Sequence, residues 1–510
     1  MPNLILAHDL GTTGNKATLY DPAGELVGTA FGGYETRYFG QNCVEQDPAD
    51  WWQAVVGSTR RLLGESRASA ADIACVTFSG QMMGCVAVDA LGEVLRPAII
   101  WADQRAVKQA EWIAERVGAD RVYEITGHRV GPSYSAAKML WVKVTEGYRR
   151  LHFARFHQAK DYLVLRLTGV HATDYSDASG TNLFDLRARD WSAEILDALE
   201  IDRALLPEPR PSTDVVGEVL LGPAEECGLR AGTPVVIGGG DGACAAVGAG
   251  VVREGAAYNY VGSSSWIALA SGEPLLDPDR RTFTFCHLDP KLYMPTGTMQ
   301  AAGASYQWFR DTLCAEEVGR AEAEGRSSYE LIDALAASVP PGADGLIFLP
   351  YLLGERSPHW NPNARGAFVG LSPKHTRAHM ARAVLEGVAL NLRIILEAFR
   401  RQGAGIAEMR VIGGGAKGAL WRQIMADVYG LPILLPAHLE EATSLGAAVA
   451  GGVGVGLFRD FTVAEQIAKV TDRHRPDADA QAAYDALYPV FCGAYEGLVG
   501  TFGRLSQARH

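Results

Sequence analysis

Asp9 and Asp241 are the two carboxylates best placed to do chemistry. Each follows an apolar run that reads as a strand, and each adjoins glycine, in Asp9-Leu10-Gly11-Thr12-Thr13-Gly14 and in Gly238-Gly239-Gly240-Asp241. A lone carboxylate of this kind ordinarily caps a turn. A pair opening two halves fits a different chemistry, in which one holds a divalent cation through water and the other takes a proton from an incoming hydroxyl. Three glycine-rich turns follow strands, at residues 9–14, 262–265 and 413–418. Glycine lets the backbone approach phosphate oxygens and aim several N–H groups at them. Thr12, Thr13 and the run Ser263-Ser264-Ser265 add hydroxyl donors, so two of these loops read as jaws on a triphosphate.

Other nucleotide sites fit less well. No G-x4-G-K-[ST] segment occurs, which disfavours a P-loop. Gly413-Gly414-Gly415-Ala416-Lys417-Gly418 satisfies the dinucleotide glycine pattern, but no acidic residue closes the next strand at residues 433–435, as a ribose contact would require.

The elements that must position these residues form a repeated plan. Strands are expected at residues 4–7, 16–20, 25–30 and 73–78, with a capped helix over 50–63. An apolar strand at 233–237 reads as the sequence starting again. Leu10-Gly11-Thr12-Thr13 aligns with Val261-Gly262-Ser263-Ser264, and residues 73–80 with 409–415. This is an internal duplication: two α/β halves facing a cleft, divided near residues 230–234. Helices are expected at 377–400 and 420–429, and the C-terminal stretch reads as helical, packing back across both halves.

Composition narrows the partners. Over 510 residues, 47 Lys+Arg against 59 Asp+Glu give a net charge of −12, which disfavours nucleic-acid or anionic-membrane binding. None of the eight cysteines forms a CxxC pair, so reduced buried thiols are expected rather than disulfides or a zinc site. No signal peptide is read at the start, and the longest apolar stretch, residues 446–458, falls short of the ~20 residues a bilayer span needs. A cytoplasmic enzyme acting on small molecules is the expectation.

With these motifs in view, the chain resembles the FGGY carbohydrate kinases along essentially its whole length. The resemblance rests on the Asp9–Lys16 region, the 238–241 turn and Gly413-Gly414-Gly415. It rests also on Glu45-Gln46-Asp47-Pro48 with Trp51-Trp52, on Ser79-Gly80-Gln81-Met82, and on residues 95–105 with Trp101 and Asp103. Lys138-Met139-Leu140-Trp141, Lys160-Asp161-Tyr162-Leu163, Ser176-Asp177-Ala178-Ser179-Gly180-Thr181 and residues 348–359 follow in the family's order.

The resemblance implies an α/β fold of two RNase H-like domains, of the actin/hexokinase/Hsp70 ATPase type, flanking an ATP/sugar cleft. Residues 1–232 would carry the sugar pocket and first phosphate loop, and residues 233–510 the catalytic base and adenosine side. It implies ATP-dependent phosphoryl transfer to a sugar hydroxyl, with Mg2+, and a homodimer. Asp241 resembles the general base and a further metal contact; Asp9 resembles the carboxylate that holds Mg2+ through water. Gly11, Thr12, Thr13 and Lys16, with Gly262, Ser263 and Ser264, resemble the phosphate loops. Gly413, Gly414, Gly415 and Lys417 resemble the adenosine side. Gln81, Met82, Met83, Trp101, Asp103 and Tyr134 occupy sugar-pocket places, and Glu355-Arg356 is a candidate ion pair near the cleft.

Within the family the segments are nearest the branch acting on xylulose, so D-xylulose is the expected acceptor. Two positions depart from that branch. Met83 stands where histidine is common, and Gly242, where asparagine is common, looks more like members acting on gluconate. Gluconate or another pentulose or polyol is therefore the alternative acceptor. Outside the enzyme class, a non-catalytic actin-like ATPase would share the phosphate loops but has no need for the group Gln81, Trp101 and Asp103. An NAD oxidoreductase is the third reading.

Overall fold

A computed structural model describes residues 3–145, 153–437 and 441–508. Its two largest sheets repeat one plan. The first comprises β1 (Leu4–Leu10), β2 (Gly14–Tyr20), β3 (Leu26–Gly33), β4 (Ile73–Gly80), β5 (Val215–Glu218) and β6 (Pro234–Gly240), in the spatial order β5-β6-β4-β1-β2-β3. The second comprises β7 (Ala257–Val261), β8 (Ser265–Leu269), β9 (Phe283–Cys286), β10 (Tyr293–Met299), β11 (Met409–Ile412), β12 (Ile433–Pro436) and β13 (Val470–His474). Its order is β13-β12-β11-β7-β8-β10-β9. In each sheet the central strand, β1 or β7, pairs antiparallel with its hairpin partner and parallel with a strand reached later in the chain. The next strand, β6 or β12, is again parallel and the edge strand antiparallel. Two α/β halves were expected, and this shared order is their physical form.

One element sits elsewhere than expected. The strand at 233–237, read as the restart of the sequence, is β6 and pairs with β4 in the first sheet. A division at residue 232 therefore cuts through that sheet. The repeat begins at β7, and β6 corresponds to β12. The misreading has a simple cause: an apolar strand running into glycine closes a parallel layer as readily as it opens one.

Helix α1 (Pro48–Ser66) is capped by Asp47, whose carboxylate accepts from the Ala49 amide, with proline at the first turn. Its buried face, including Trp51, Trp52 and Val55, joins the core on the outer side of the first sheet. Helices α2 (Ser135–Thr145) and α3 (Ala159–Thr168) precede β5, and α4 (Asp241–Gly248) follows β6 without a break. In the second half come α5 (Gly303–Leu313), α6 (Arg377–Arg401), α7 (Ala419–Tyr429), α8 (Ala442–Gly454) and α9 (Ala478–Gln507). The sequence predicts α6 and α7 to within a residue.

The two halves meet on α4 and α8. Ala243, Cys244 and Val247 share one core with Leu445, Ala448 and Val449, with Ile5, Cys75 and Val236 of the first sheet, and with Tyr258, Ala268 and Ile412 of the second. Small residues fill both helices, so their backbones approach closely. The C-terminal stretch corrects a second expectation. It begins with edge strand β13, and Tyr484, Phe491, Tyr495 and Phe502 of α9 bury in the core of the second half, with α6 and α7. Among the described residues no helix is long and apolar enough to cross a membrane.

Candidate active site

Asp9 lies near the end of β1, next to β4 in parallel register, which places Ser79 opposite it. The Ser79 hydroxyl donates to Asp9 Oδ1 at 2.9 Å. Across the β1–β2 hairpin, Lys16 is its register partner. Burial raises the Asp9 carboxyl to about 6, against the pull of the Ser79 hydrogen bond and the Lys16 charge.

Asp241 is the first residue of α4, delivered by β6, and its Oδ1 accepts from the Gly242 amide at 2.7 Å. Burial and the neighbouring Asp9 charge push it up to about 7. Tyr260, near the end of β7, is raised by burial and by the charges of both Asp241 and Asp9. Asp9, Asp241 and Tyr260 at the end of the second half's central strand therefore lie close enough to feel one another's charge.

The two expected phosphate loops fill equivalent hairpin turns, after β1 and after β7. In the first, the Gly11 carbonyl accepts from the Tyr34 hydroxyl, and the Thr12 carbonyl from Gln46 Nε2 at 2.6 Å and Thr36 Oγ1 at 3.0 Å. The Thr13 carbonyl accepts from the Tyr34 amide at 3.2 Å. In the second, the Gly262 carbonyl accepts from the Gly303 amide at 2.9 Å, and the Ser263 carbonyl from the Ala302 and Ala304 amides at 2.9 and 3.0 Å. Each turn is thus tied down through its carbonyls, while the Gly11 and Gly262 amides close the turns on the Gly14 and Ser264 carbonyls at 3.0 and 2.9 Å. A Cβ on Gly303 would lie 2.4 Å from the Gly262 carbonyl oxygen, so only glycine lets α5 start there.

Gly413, at φ 86, packs against the same turn: a Cβ there would lie 2.7 Å from the Val261 carbonyl. Gly415 packs on the Val261 side chain, while Gly414 faces open space. Lys417 ends the short helical turn that leads into α7, and its carbonyl accepts from Arg422. The second and third loops are therefore adjacent.

The expected sugar-pocket residues divide. Gln81 is buried beside the first loop; its Nε2 donates to Gln46 Oε1 at 2.7 Å and to the Gly11 carbonyl at 3.4 Å, and its Oε1 has no partner among the described residues. Met82 packs under the end of β6: a Cβ on Gly240 would lie 2.6 Å from its sulfur. Met83 follows with φ 61. Trp101 is partly exposed, and its indole donates to Thr12 Oγ1 at 3.1 Å. Tyr134 is buried, its hydroxyl 3.1 Å from His128 Nδ1. Burial pushes Tyr134 up to about 12, against the nearby charges of Arg356 and Arg129.

Asp103 corrects the sequence reading. It is fully buried, accepts from the Val44 amide at 2.6 Å, and takes the Arg105 guanidinium at 2.7–2.8 Å. Arg105 also reaches Glu45 at 2.7 Å. Asp103 is an internal brace for the loop that carries Trp101. Glu355-Arg356 is likewise not an ion pair: Glu355 accepts the Gln300 and Arg356 amides and Asn391 Nδ2, and burial pushes it up to about 8.

Sequence reasoning missed Ser79, Gln46, Tyr34 and Thr36, all of which hold Asp9 or the first loop. Ser79 and Gln46 sit inside segments that carried the resemblance, but their partners are set by parallel pairing and a loop fold that spacing does not reveal.

Among the described residues no group of three or more His, Cys, Asp or Glu side chains can hold a metal alone. Asp9 braced by Ser79, with its charge felt at Asp241, is a donor set suited to a hard cation that arrives with phosphate oxygens and keeps its waters.

The N-terminal domain of the FGGY family of carbohydrate kinases matches residues 4–248, and its C-terminal domain matches residues 257–455. The chain belongs to this family. It is an ATP-dependent sugar kinase on the actin/hexokinase-like ATPase fold. Two relatives from Bacillus subtilis (strain 168) illustrate its place. A xylulose kinase is 33% identical over 492 residues, covering 96% of both chains. A gluconokinase is 31% identical over 492 residues, covering 96% of this chain and 95% of its own. Among solved structures, that of ligand-bound xylulose kinase from Lactobacillus acidophilus superposes with a TM-score of 0.91 at 28% identity, covering 98% of this chain and 99% of the other.

Proposed function

We propose that this kinase transfers the γ-phosphoryl group of ATP to O5 of D-xylulose, giving D-xylulose 5-phosphate. The supporting observation is Asp241 at the helix start, its carboxyl raised to about 7 beside Asp9. A base poised there accepts the hydroxyl proton as the oxygen attacks phosphorus, and such a group contributes ~10²–10⁴-fold. Asp9, oriented by Ser79, would hold Mg2+ through water, with Asp241 as a further contact. When bound, Mg2+ neutralises charge on the β- and γ-phosphates.

Gly11, Thr12 and Thr13 with Lys16, and Gly262, Ser263 and Ser264, cradle the phosphates. Gly413, Gly414, Gly415 and Lys417 flank adenosine. Gln81, Met82, Met83, Trp101 and Tyr134 line the sugar pocket, and closure of the halves excludes water that would otherwise hydrolyse ATP. The reaction belongs in the cytoplasm, where ATP is available, and the family likeness supports a homodimer.

The relatives support xylulose. A second reading has its own observation: Arg129 and Arg356, from opposite halves, place positive charge near Tyr134. A carboxylate-bearing acceptor such as gluconate would use it. Sugar-dependent ADP release across D-xylulose, L-xylulose, D- and L-ribulose, gluconate, glycerol, erythritol and L-fuculose decides between them. A clear preference for D-xylulose supports the first reading, and preference for gluconate replaces it with the second.

A further inference from the structure

Lys138, on α2, is wholly buried, and among the described residues no carboxylate lies within ion-pair distance of it. Its ammonium instead donates to two backbone carbonyls, Met83 at 2.7 Å and Ser133 at 2.5 Å. Those carbonyls belong to separate segments. Met83 lies in the turn after β4, and Ser133 in the turn before α2, next to Tyr134. A second tie runs alongside: the Ser135 hydroxyl donates to the Gly84 carbonyl at 2.8 Å and accepts from Gln158 Nε2 at 2.9 Å.

The Met83 turn needs such ties. Met83 has φ 61, a left-handed conformation that costs an ordinary L-residue roughly 1–2 kcal/mol. Nothing in its side chain offsets that cost in the way an Asn or Asp would. The ammonium is itself expensive: burial brings Lys138 down to about 7, with the charges of Asp103 and Cys85 opposing and that of Arg105 assisting. An apolar side chain of similar length would fill the space without this desolvation, so the packing alone does not account for a lysine.

We propose that Lys138 is a positioning residue that locks Met83 in its left-handed turn and ties it to the Ser133–Tyr134 segment, fixing the width of the acceptor pocket. This rests on the reading of both segments as pocket walls. It also assigns a consequence to the departure at position 83: the side chain there is presented to the acceptor by a backbone that Lys138 holds.

The test is steady-state kinetics of Lys138→Met with the best acceptor of the panel. The expected result is a KM for the sugar raised at least tenfold, with the KM for ATP within twofold of wild type. Ser135→Ala, a milder change should Lys138→Met fail to fold, is expected to raise the sugar KM about threefold, again without moving the ATP KM. A double-mutant cycle supplies the discriminating readout. Glycine adopts φ 61 freely, so in a Met83→Gly background Lys138→Met is expected to cost less than threefold in sugar KM. An unchanged sugar KM, equal losses for both substrates, or the same cost in the glycine background would overturn the proposal while leaving the kinase reading intact. A wild type without sugar-dependent ADP release would overturn that reading, and this proposal with it.

Discussion

Gly446 and Cys244 meet backbone to backbone: a Cβ on Gly446 would lie 1.8 Å from the Cys244 carbonyl oxygen. The contact is reciprocal, since a Cβ on Gly248 would lie 1.7 Å from the Ala442 carbonyl oxygen. Helices α4 and α8 therefore cross at van der Waals contact between the two sheets, and α4 begins with Asp241. The placement of the proposed base against Asp9 is set by this crossing. Gly446→Ala forces the helices apart, and overpacking of this kind costs ~1–3 kcal/mol. The expected result is a lower Tm together with a kcat loss larger than any change in the KM for ATP, measured by thermal denaturation and steady-state kinetics.

Asp241→Asn removes the proposed base without changing shape. Turnover is expected to fall by ~10²–10⁴-fold with the circular dichroism spectrum preserved. Stability should move the other way. The Asp241 carboxyl is raised to about 7 when folded, from an ordinary value of 3.8. The folded state therefore holds its proton more tightly, and stability is lost as pH rises from about 4 through 7. The Asn variant escapes that loss. Its Tm should match wild type near pH 4 and exceed it above pH 7, where the stability difference approaches about 4 kcal/mol.

Ser79→Ala deletes the hydrogen bond that holds the Asp9 carboxyl down. Asp9, already at about 6 through burial, should rise further, so more of it is protonated at neutral pH. The Mg2+ concentration for half-maximal activity is expected to increase several-fold at pH 6.5 and to return toward wild type at pH 8. A Mg2+ requirement unchanged at both pH values would remove Asp9 from its metal role.

Much of this is legible in the sequence. Both hairpin loops, the helix from Arg377 to Arg401 and the glycine turn after β11 follow from local signals: strand alternation, caps and glycine. What fails is non-local. The strand before Asp241 looks like the start of a unit, and only pairing with β4 shows that it completes the first sheet. Asp103 reads as a pocket residue or as a surface partner of Arg105, and only the fold shows the pair turned inward. Ser79 and Lys138 are visible only as letters in shared segments, because the register and the helix approach that give them partners are tertiary facts.

The charges near Tyr134 make a prediction about selectivity. Arg356→Leu removes the guanidinium contributed by the second half. If that charge recognises an acceptor carboxylate, gluconate turnover relative to D-xylulose should fall by about tenfold, the scale of one charged contact. Equal loss for both acceptors would instead make Arg356 a general pocket wall.

ADP release with Mg2+-ATP and D-xylulose, run for wild type beside Asp241→Asn, bears most closely on the proposed chemistry. With Asp241 as the base, wild type shows sugar-dependent release that the variant loses by at least a hundredfold, with ATP still bound. Turnover of the variant within a few-fold of wild type would contradict the assignment of Asp241 as the base.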